Sequence, residues 1–501
     1  MRTEKFTVQT GGAGLLVIEN ESARLIPLDR KNEWSLGRYD PTMPMAPDIP
    51  LASYLVSRRH GWFKNPGDQW YFQENPENKN GTYYNGVKLR RDGGRSGVAL
   101  QNGDILRVDG DDLDQPNPDG VLLLFVTTPI AGPFRPFLLQ GKAVCAIGRD
   151  KSCEICERAA YFSSRHAEIR RKNEKYYLSD CDSQAGTFLN GRRVAAPTVL
   201  RDKDIIGICD RRYFFLGDKL LYAADEQEKS AQKKSVPLLE RPVLLKADID
   251  TKWVKDRSGS GMKELIRNIH LEIRAGTLVA LLGTAGSGKS TVVKSLNGME
   301  PQGVQGSVIY RGTDLIKHFE QMKFFIGSVP QEKTVHDEFT PEKELRIAAK
   351  KRLSADTSKK EIEERVDQTL KLLGIYGVRG SRNSTLSGGE KTRVNIGIEL
   401  VADRDLLFLD EPDQGLDPKY KHEIFQIMQK LAHENGKSVV SIIHDVSEID
   451  LFDQVIMLVK SEGVGRLAFS GTPEEMRKKF GVQDIREVYR LLESDPEKYA
   501  I

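Results

Sequence analysis

The chain has 501 residues, with 75 Lys+Arg against 72 Asp+Glu and a formal net charge of +3, a length that suggests about three domains. Charge so close to balance gives no support for a protein that holds nucleic acid by bulk attraction alone, and 39% hydrophobic with 29% charged residues, with aliphatic runs along the length, excludes whole-chain disorder. Five cysteines make no disulfide scaffold, no run reaches the roughly 18 to 20 apolar residues that span a bilayer, and Met1-Arg2-Thr3-Glu4-Lys5 leads into no apolar stretch, so a reducing location inside the cell is expected.

Residues 1 to about 222 carry short alternating or aliphatic runs broken by Gly, Asn, Asp and Pro, among them Gly14-Leu15-Leu16-Val17-Ile18, Trp70-Tyr71-Phe72 and Tyr176-Tyr177-Leu178. That rhythm predicts all-β sandwich structure. Thr127 to Pro133 reads as a connector between two halves that repeat one another. Gly37-Arg38 is matched by Gly148-Arg149, and Ser57-Arg58-Arg59-His60 by Ser163-Ser164-Arg165-His166. Gly81-Thr82-Tyr83-Tyr84-Asn85-Gly86 is matched by Gly186-Thr187-Phe188-Leu189-Asn190-Gly191. Matches in the same order at similar spacing predict a duplicated domain, 1–128 and 129–223.

These blocks resemble the forkhead-associated (FHA) domain, a β-sandwich that binds phosphothreonine peptides with loops at one end. An arginine fork and a serine hydroxyl suit a dianionic phosphate. The resemblance implies phosphothreonine-binding roles for Arg38, Ser57, Arg58, Lys79 and Asn80 in the first copy, with His60 and Asn85 bracing the loops. The second copy offers Arg149, Ser163 and Ser164, and keeps His166. It has Gln184-Ala185 where the first has Lys79-Asn80, so the first copy is expected to bind better and the second to be weak or structural. Cys153-Glu154-Ile155-Cys156 stands without a second C-x-x-C, which favours packed or surface thiols over a metal site. Arg170, Arg171, Lys172 and Lys175 read as a solvated turn.

Residues 224–242 form a polar, charged linker containing Ser230 and Ser235 but no threonine. From 243 to 501, strands alternate with amphipathic helices such as Lys359 to Leu373 and Lys419 to Glu434, the pattern of an α/β domain with a largely parallel sheet. Gly283-Thr284-Ala285-Gly286-Ser287-Gly288-Lys289-Ser290 follows an apolar strand and precedes a helical stretch from Thr291, which identifies a P-loop. Its backbone N–H groups and helix N-terminus suit phosphate, Lys289 suits the β- and γ-phosphates, and Ser290 suits Mg2+. The apolar strand Asp405 to Leu409 ends in Asp410, placed to hold Mg2+, and Glu411, placed to orient or deprotonate an attacking water.

Leu386-Ser387-Gly388-Gly389-Glu390, about 23 residues before Asp410, resembles the signature of ATP-binding cassette (ABC) ATPases. Pro330-Gln331 is similar to the family's Q-loop, Gln414-Gly415-Leu416-Asp417 to its D-loop, and His444 to its switch histidine. Phe325 to Gln331 resembles the export-type, ABCG-like cassettes. The resemblance implies an ATPase in which Gln331 senses Mg2+ and the γ-phosphate, and His444 contacts that phosphate and positions Glu411. Ser387, Gly388 and Gly389 would bind the γ-phosphate held by another copy, and Asp417 would cross that interface. It thus implies a homodimer, or a pair with a related ABC subunit, closing over two ATP molecules. The stacking residue for adenine is open: Trp253 is a candidate, but it can equally pack in the antiparallel subdomain, and the segment Asp256 to Met262 leaves the register unsettled. The D-loop departs from the common pattern at Asp413-Gln414.

The fold expected is therefore multidomain: two all-β FHA-like sandwiches, then an α/β P-loop NTPase. The expected function is ATP hydrolysis energising transport through a separate membrane-spanning subunit. That places the chain in the cytoplasm, at times against the inner face of the membrane, with a phosphothreonine-containing partner docked by the FHA domains and no nucleic acid. One alternative is a soluble ABC ATPase acting on ribosomes or DNA. A single cassette, with about a hundred residues and no heptad run between Ser290 and Ser387, argues against it. Another is a phosphopeptide adaptor with an ATP-driven dimer switch.

Overall fold

The computed structural model describes residues 13–19, 22–67, 69–89, 97–110, 117, 119–127, 134–157, 159–223, 238, 241–255, 261–332 and 334–501. Most of the expected linker (224–237 and 239–240), the connector from 128 to 133 and the stretch 256–260 near Trp253 lie outside the described residues.

The first half is a sandwich of two sheets. One runs in the order Ser22–Pro27, Gly14–Glu19, Val121–Val126, Ile105–Val108, Tyr83–Tyr84, Val87–Lys88, and the other Ile49–Leu51, Glu33–Arg38, Gly61–Lys64, Tyr71–Glu74, Val98–Ala99. The second half repeats the plan with Val144–Gly148, Ala167–Lys172 and Lys175–Asp180 central in one sheet and Arg211–Leu216, Ile205–Ile208 and Thr187–Leu189 in the other. The repeated sequence blocks do the same local work in both copies. Ser57 N donates to His60 Nδ1 at 3.2 Å, which leaves the other ring nitrogen to donate to Thr82 Oγ1 at 3.1 Å. Ser163 N likewise donates to His166 Nδ1 at 3.2 Å, and Nε2 faces Gly186 O at 3.3 Å. Asn85 and Asn190 both take a left-handed turn, at φ 47° and 50°. Each donates to an aspartate, Asp104 or Asp204, at 2.8 Å and accepts from the next N–H at 2.9 Å. Histidine and asparagine are loop braces, as expected.

The aliphatic runs of the first half do not alternate, and the reason is a second buried face. Side chains along a strand point alternately to its two sides. In Gly14–Glu19 and Val121–Val126, Leu15, Val17, Val121, Leu123 and Phe125 face the sandwich's own core. Leu16, Ile18, Leu122, Leu124 and Val126 meet Ile205, Phe214, Leu216 and Leu221 of the second sandwich in a shared apolar seam.

The ATPase half is built on one mixed sheet. Its antiparallel arm pairs Val243–Lys255 with Met262–Arg274 and Val304–Tyr310. Its parallel part orders Gln454–Ser461, Leu278–Gly283, Ser438–Ile442, Leu406–Asp410 and Ile326–Val329. Leu278–Gly283 is buried throughout: Leu278, Ala280 and Leu282 join the core on one face, Val279 and Leu281 that on the other. Two-sided burial of this kind is why parallel strands read as unbroken apolar runs. A helical layer of Pro341–Arg352, Lys359–Leu372 and Gly388–Leu400 packs beside this sheet. Thr340 and Ser358 cap the first two helices by accepting from Lys343 N and Glu361 N. The second sandwich rests on the sheet's edge. Tyr161 meets Phe325 edge-on at 4.4 Å, and Arg311 bridges Asp210 at 2.7 Å and Asp405 at 2.9 Å.

Burial holds the His60 imidazole down at about 4, from an ordinary 6.5. The unfolded chain therefore binds a proton that the folded one refuses between those values, so stability is full above about pH 6.5 and falls as pH drops toward 4, by at most about 3 kcal/mol from this group. Ring resonances of His60 are expected not to titrate between pH 7 and 5 in an NMR pH series; a midpoint near 6.5 would refute the buried, neutral brace.

Candidate functional site

The phosphate loop leaves the C-terminal end of Leu278–Gly283 and enters the helix Lys289–Leu296. Glycine is required at its start because a Cβ on Gly283 would meet Ser287 Oγ at 2.5 Å and Leu458 O at 2.8 Å. Gly288 caps the helix at φ 84°, a conformation that side chains disfavour. Between them Thr284, Ala285, Gly286 and Ser287 complete the loop, and Thr291 lies in the helix's first turn. Lys289 Nζ lies on the loop carbonyls of Gly283 at 3.0 Å and Thr284 at 3.4 Å, and its burial lowers the ammonium's pKa while Glu411 and Asp410 oppose that shift.

The strand Leu406–Asp410 delivers Asp410 beside this loop. Burial, and then the neighbouring Glu411 charge, raise the Asp410 carboxyl, while a hydrogen bond from Ser290 lowers it. Asp410 Oδ1 is buried with no hydrogen-bond partner. A buried acceptor without a donor, next to a hydroxyl and beside a phosphate cradle, fits a hard divalent cation such as Mg2+, which takes few protein ligands and completes its shell with phosphate and water.

Glu411, in the left-handed region at φ 49°, points its carboxylate into a ring of polar groups. His444 Nε2 stands 2.7 Å from Oε1, and Gln331 Nε2 and Gln414 Nε2 each donate to Oε2 at 3.0 Å. Gln331 also donates to Gln414 Oε1 at 3.0 Å. Glu411 is mostly covered, whereas His444 is 57% exposed. Gln331, Glu411 and His444 are thus gathered at one point. Gln414 belongs with them and was not foreseen. Its only signal was the unusual residue in the D-loop, next to the buried Asp413.

Ser387 caps the signature helix Gly388–Leu400. Its hydroxyl bonds Glu390 Oε2 at 2.9 Å and accepts from Glu390 N at 3.3 Å, while Ser387 N donates to the same carboxylate at 2.8 Å. This reciprocal capping box is written in the S-x-x-E spacing. Gly389 packs on Tyr420, whose ring carbons lie 3.2–3.3 Å from where a Cβ would stand. Asp417 sits before the helix Pro418–His433 without a side-chain cap bond. Trp253 lies in the antiparallel arm at a register shift, half-buried, with Nε1 donating to Thr251 Oγ1 at 3.1 Å.

The two FHA faces differ in surroundings. In the first, Arg38 ends the strand Glu33–Arg38, Arg58 pairs with Asp40 at 2.7 Å while remaining 61% exposed, and Asn80 Nδ2 holds Leu55 O at 2.8 Å. Ser57 is half-buried and Lys79 exposed on the flanking loops. In the second, Arg149, Ser163 and Ser164 face the ATPase: Arg149 pairs with Glu361, Ser164 N donates to Asp356 at 2.6 Å, and Ser163 Oγ lies 3.0 Å from Ser354 Oγ. The thiols of Cys153 and Cys156 point at carbonyls of Ser164 and Arg149 within this face. Among the described residues no group of three or more His, Cys, Asp or Glu could hold a metal ion.

The family model of ABC transporters matches residues 266–414, and that of the FHA domain matches 34–109 and 145–209. The chain is similar to the ABC transporter ATP-binding/permease protein Rv1747 of Mycobacterium tuberculosis, 30% identical over 366 residues that make up 72% of this chain and 40% of that protein. It is similar to ABC transporter G family member 28 of Arabidopsis thaliana, 31% identical over 278 residues, 52% of this chain and 24% of that protein. A solved ATP-binding subunit of an ABC transporter shares 24% identity over 50% of this chain and 99% of its own, with a TM-score of 0.41. The chain thus spans less than half the length of these two relatives. Among the described residues no helix is long and apolar enough to cross a membrane. Phosphate loop, gripped glutamate and twin sandwiches agree with the two family models, and the chain carries an ABC transporter ATPase domain preceded by two FHA domains.

Proposed function

We propose that this ATPase energises transport through a membrane-spanning portion that lies outside these 501 residues, with the chain held at the cytoplasmic face of the membrane. The observation that carries the reading is the grip on Glu411 by His444, Gln331 and Gln414 beside the phosphate loop. A carboxylate fixed from three sides is placed to orient and deprotonate water attacking a γ-phosphate. The loop from Gly283 to Ser290 cradles the phosphates, Lys289 turns from its carbonyls to them, and His444 holds Glu411 in place. Ser290, Asp410 and Gln331 would hold Mg2+, which supplies charge neutralisation at the transferring phosphoryl group.

Two copies, or this chain and a related subunit, close head to tail, so that Ser387, Gly388 and Gly389 of one meet the γ-phosphate held by the other and Asp417 lies at the interface. The Ser387 hydroxyl must then exchange Glu390 for phosphate. Trp253 is a candidate platform for adenine; its indole N–H is already engaged, and its ring face would do the stacking. The first FHA face docks a phosphothreonine-containing partner through Arg38, Ser57, Arg58, Lys79 and Asn80, which raises the partner's local concentration at the ATPase.

Glu411→Gln is expected to lower kcat for ATP hydrolysis by about 10²- to 10⁴-fold while retaining ATP binding, and to accumulate as a dimer under saturating Mg-ATP in sedimentation velocity. Hydrolysis at the wild-type rate would remove Glu411 from the reaction. Gln414→Ala is expected to reduce kcat by about tenfold, the cost of one hydrogen bond of about 1.4 kcal/mol to a charged group, with KM nearly unchanged. Arg38→Ala in the whole chain is expected to remove the tight component of phosphothreonine-peptide binding measured by calorimetry. Equal affinity for the phosphorylated and unphosphorylated peptide would refute the docking role.

A further inference from the structure

The recognition face of the second FHA domain is neither bare nor buried among apolar groups. It is turned onto the segment 354–361, which leads from the helix Pro341–Arg352 into the first turn of Lys359–Leu372 in the ATPase's helical layer and carries Asp356 and Glu361 beside Lys359 and Lys360. Arg149 Nε is fixed by Phe162 O at 3.0 Å, so the fork of the guanidinium points outward at the ATPase. One arm takes the Glu361 carboxylate, and the other reaches Ser164 Oγ at 3.4 Å and Thr357 Oγ1 at 3.5 Å. The Ser164 N–H donates to the Asp356 carboxylate at 2.6 Å. Ser163 Oγ, braced by Gln184 N at 3.3 Å, meets Ser354 Oγ at 3.0 Å in a contact that excludes water. Two carboxylates therefore occupy the donors that suit a phosphate, and the Arg149–Glu361 pair is largely covered, at 11% and 27% exposure. Only paired charges are tolerated with so little solvent.

We propose that this face is an intramolecular anion site whose resident ligands are the carboxylates of Asp356 and Glu361, and that a phosphothreonine peptide competes with them for it. The inference rests on the reading of FHA faces as phosphothreonine receptors. The competitor's chemistry follows from the donors: a dianion on a threonine offers the same guanidinium fork, serine hydroxyl and backbone N–H more charge than either carboxylate does. The two occupants cannot coexist, because Arg149 has one outward fork and Ser164 one N–H. Loss of the asparagine side chain at Ala185 weakens the face toward a free peptide, which lets a tethered carboxylate ligand of high local concentration hold it. Release would not detach the domain, since Tyr161 on Phe325 and Arg311 between Asp210 and Asp405 form a separate footing on the sheet's edge.

The test uses the whole chain with the first face silenced by Arg38→Ala, and a degenerate phosphothreonine peptide as the probe. Adding Asp356→Asn and Glu361→Gln is expected to tighten peptide binding by about tenfold or more, the factor by which a face open about one-tenth of the time masks its own affinity. A further Arg149→Ala should erase the gain. In hydrogen exchange, the amide of Ser164 should lose protection in the Asp356→Asn/Glu361→Gln chain while amides of the strand Leu278–Gly283 keep theirs, which separates release from misfolding. Affinity that does not rise on removing the two carboxylates, or a rise that survives Arg149→Ala, overturns the proposal. Peptide binding by the parent chain in the same titration decides the first face separately: if it binds, only the second-face inference has failed, and if it does not, both readings fail together.

Discussion

The whole nucleotide site hangs on a central sheet buried on both faces. Each strand of its parallel part stands between two apolar layers, so its direction and depth are fixed by packing on either side. The chemistry is then concentrated where the strands end. Leu278–Gly283 delivers the phosphate loop, Ile326–Val329 leads to Gln331, Leu406–Asp410 ends in the acidic pair, and Ser438–Ile442 runs to His444. These four strands lie side by side in the sheet. Residues up to 161 positions apart in the chain, Gly283 and His444, are thereby brought to one edge, the C-terminal crevice where open α/β sheets hold their ligands. A shift of the sheet by one residue would scatter them.

Much of this was legible in the sequence because the relevant forces are local. A phosphate loop needs glycine where backbone must approach backbone, and that need is printed at Gly283 and Gly288. A helix start needs a cap, and Ser387 with Glu390 spells one. The FHA repeat was visible because the same turn must be built twice, with Asn85 and Asn190 at the same left-handed corner and His60 and His166 under the same loop. Expected elements fell within a residue or two of the observed ones, Lys359–Leu372 and Pro418–His433 among them.

What escaped was non-local. Gln414 sits three residues from Glu411, yet its contact with Gln331 depends on two loops meeting across 83 positions. Arg149 and Glu361 are 212 positions apart, and nothing in either neighbourhood marks them as partners. The missing asparagine at Ala185 marks the second FHA face as weak; that the ATPase sets Asp356 and Glu361 against that face is a matter of tertiary placement. The aliphatic run Leu15–Ile18 marks a sandwich strand in the sequence, and Val121–Val126 pairs with it in the structure. Their lack of alternation was in fact a record of two burials, one inside the sandwich and one outside it.

That outer burial makes each sandwich of the front half the solvent shield of the other. Leu16, Ile18, Leu122, Leu124 and Val126 stay dry only while Phe214, Leu216 and Leu221 lie over them. Cut apart, each sandwich would carry a wet, greasy wall and would seek another copy to cover it. The two modules are therefore tied together: removing either one bares an apolar face on the other. The second sandwich thus serves as the fixed mount of the first, whatever its own face holds.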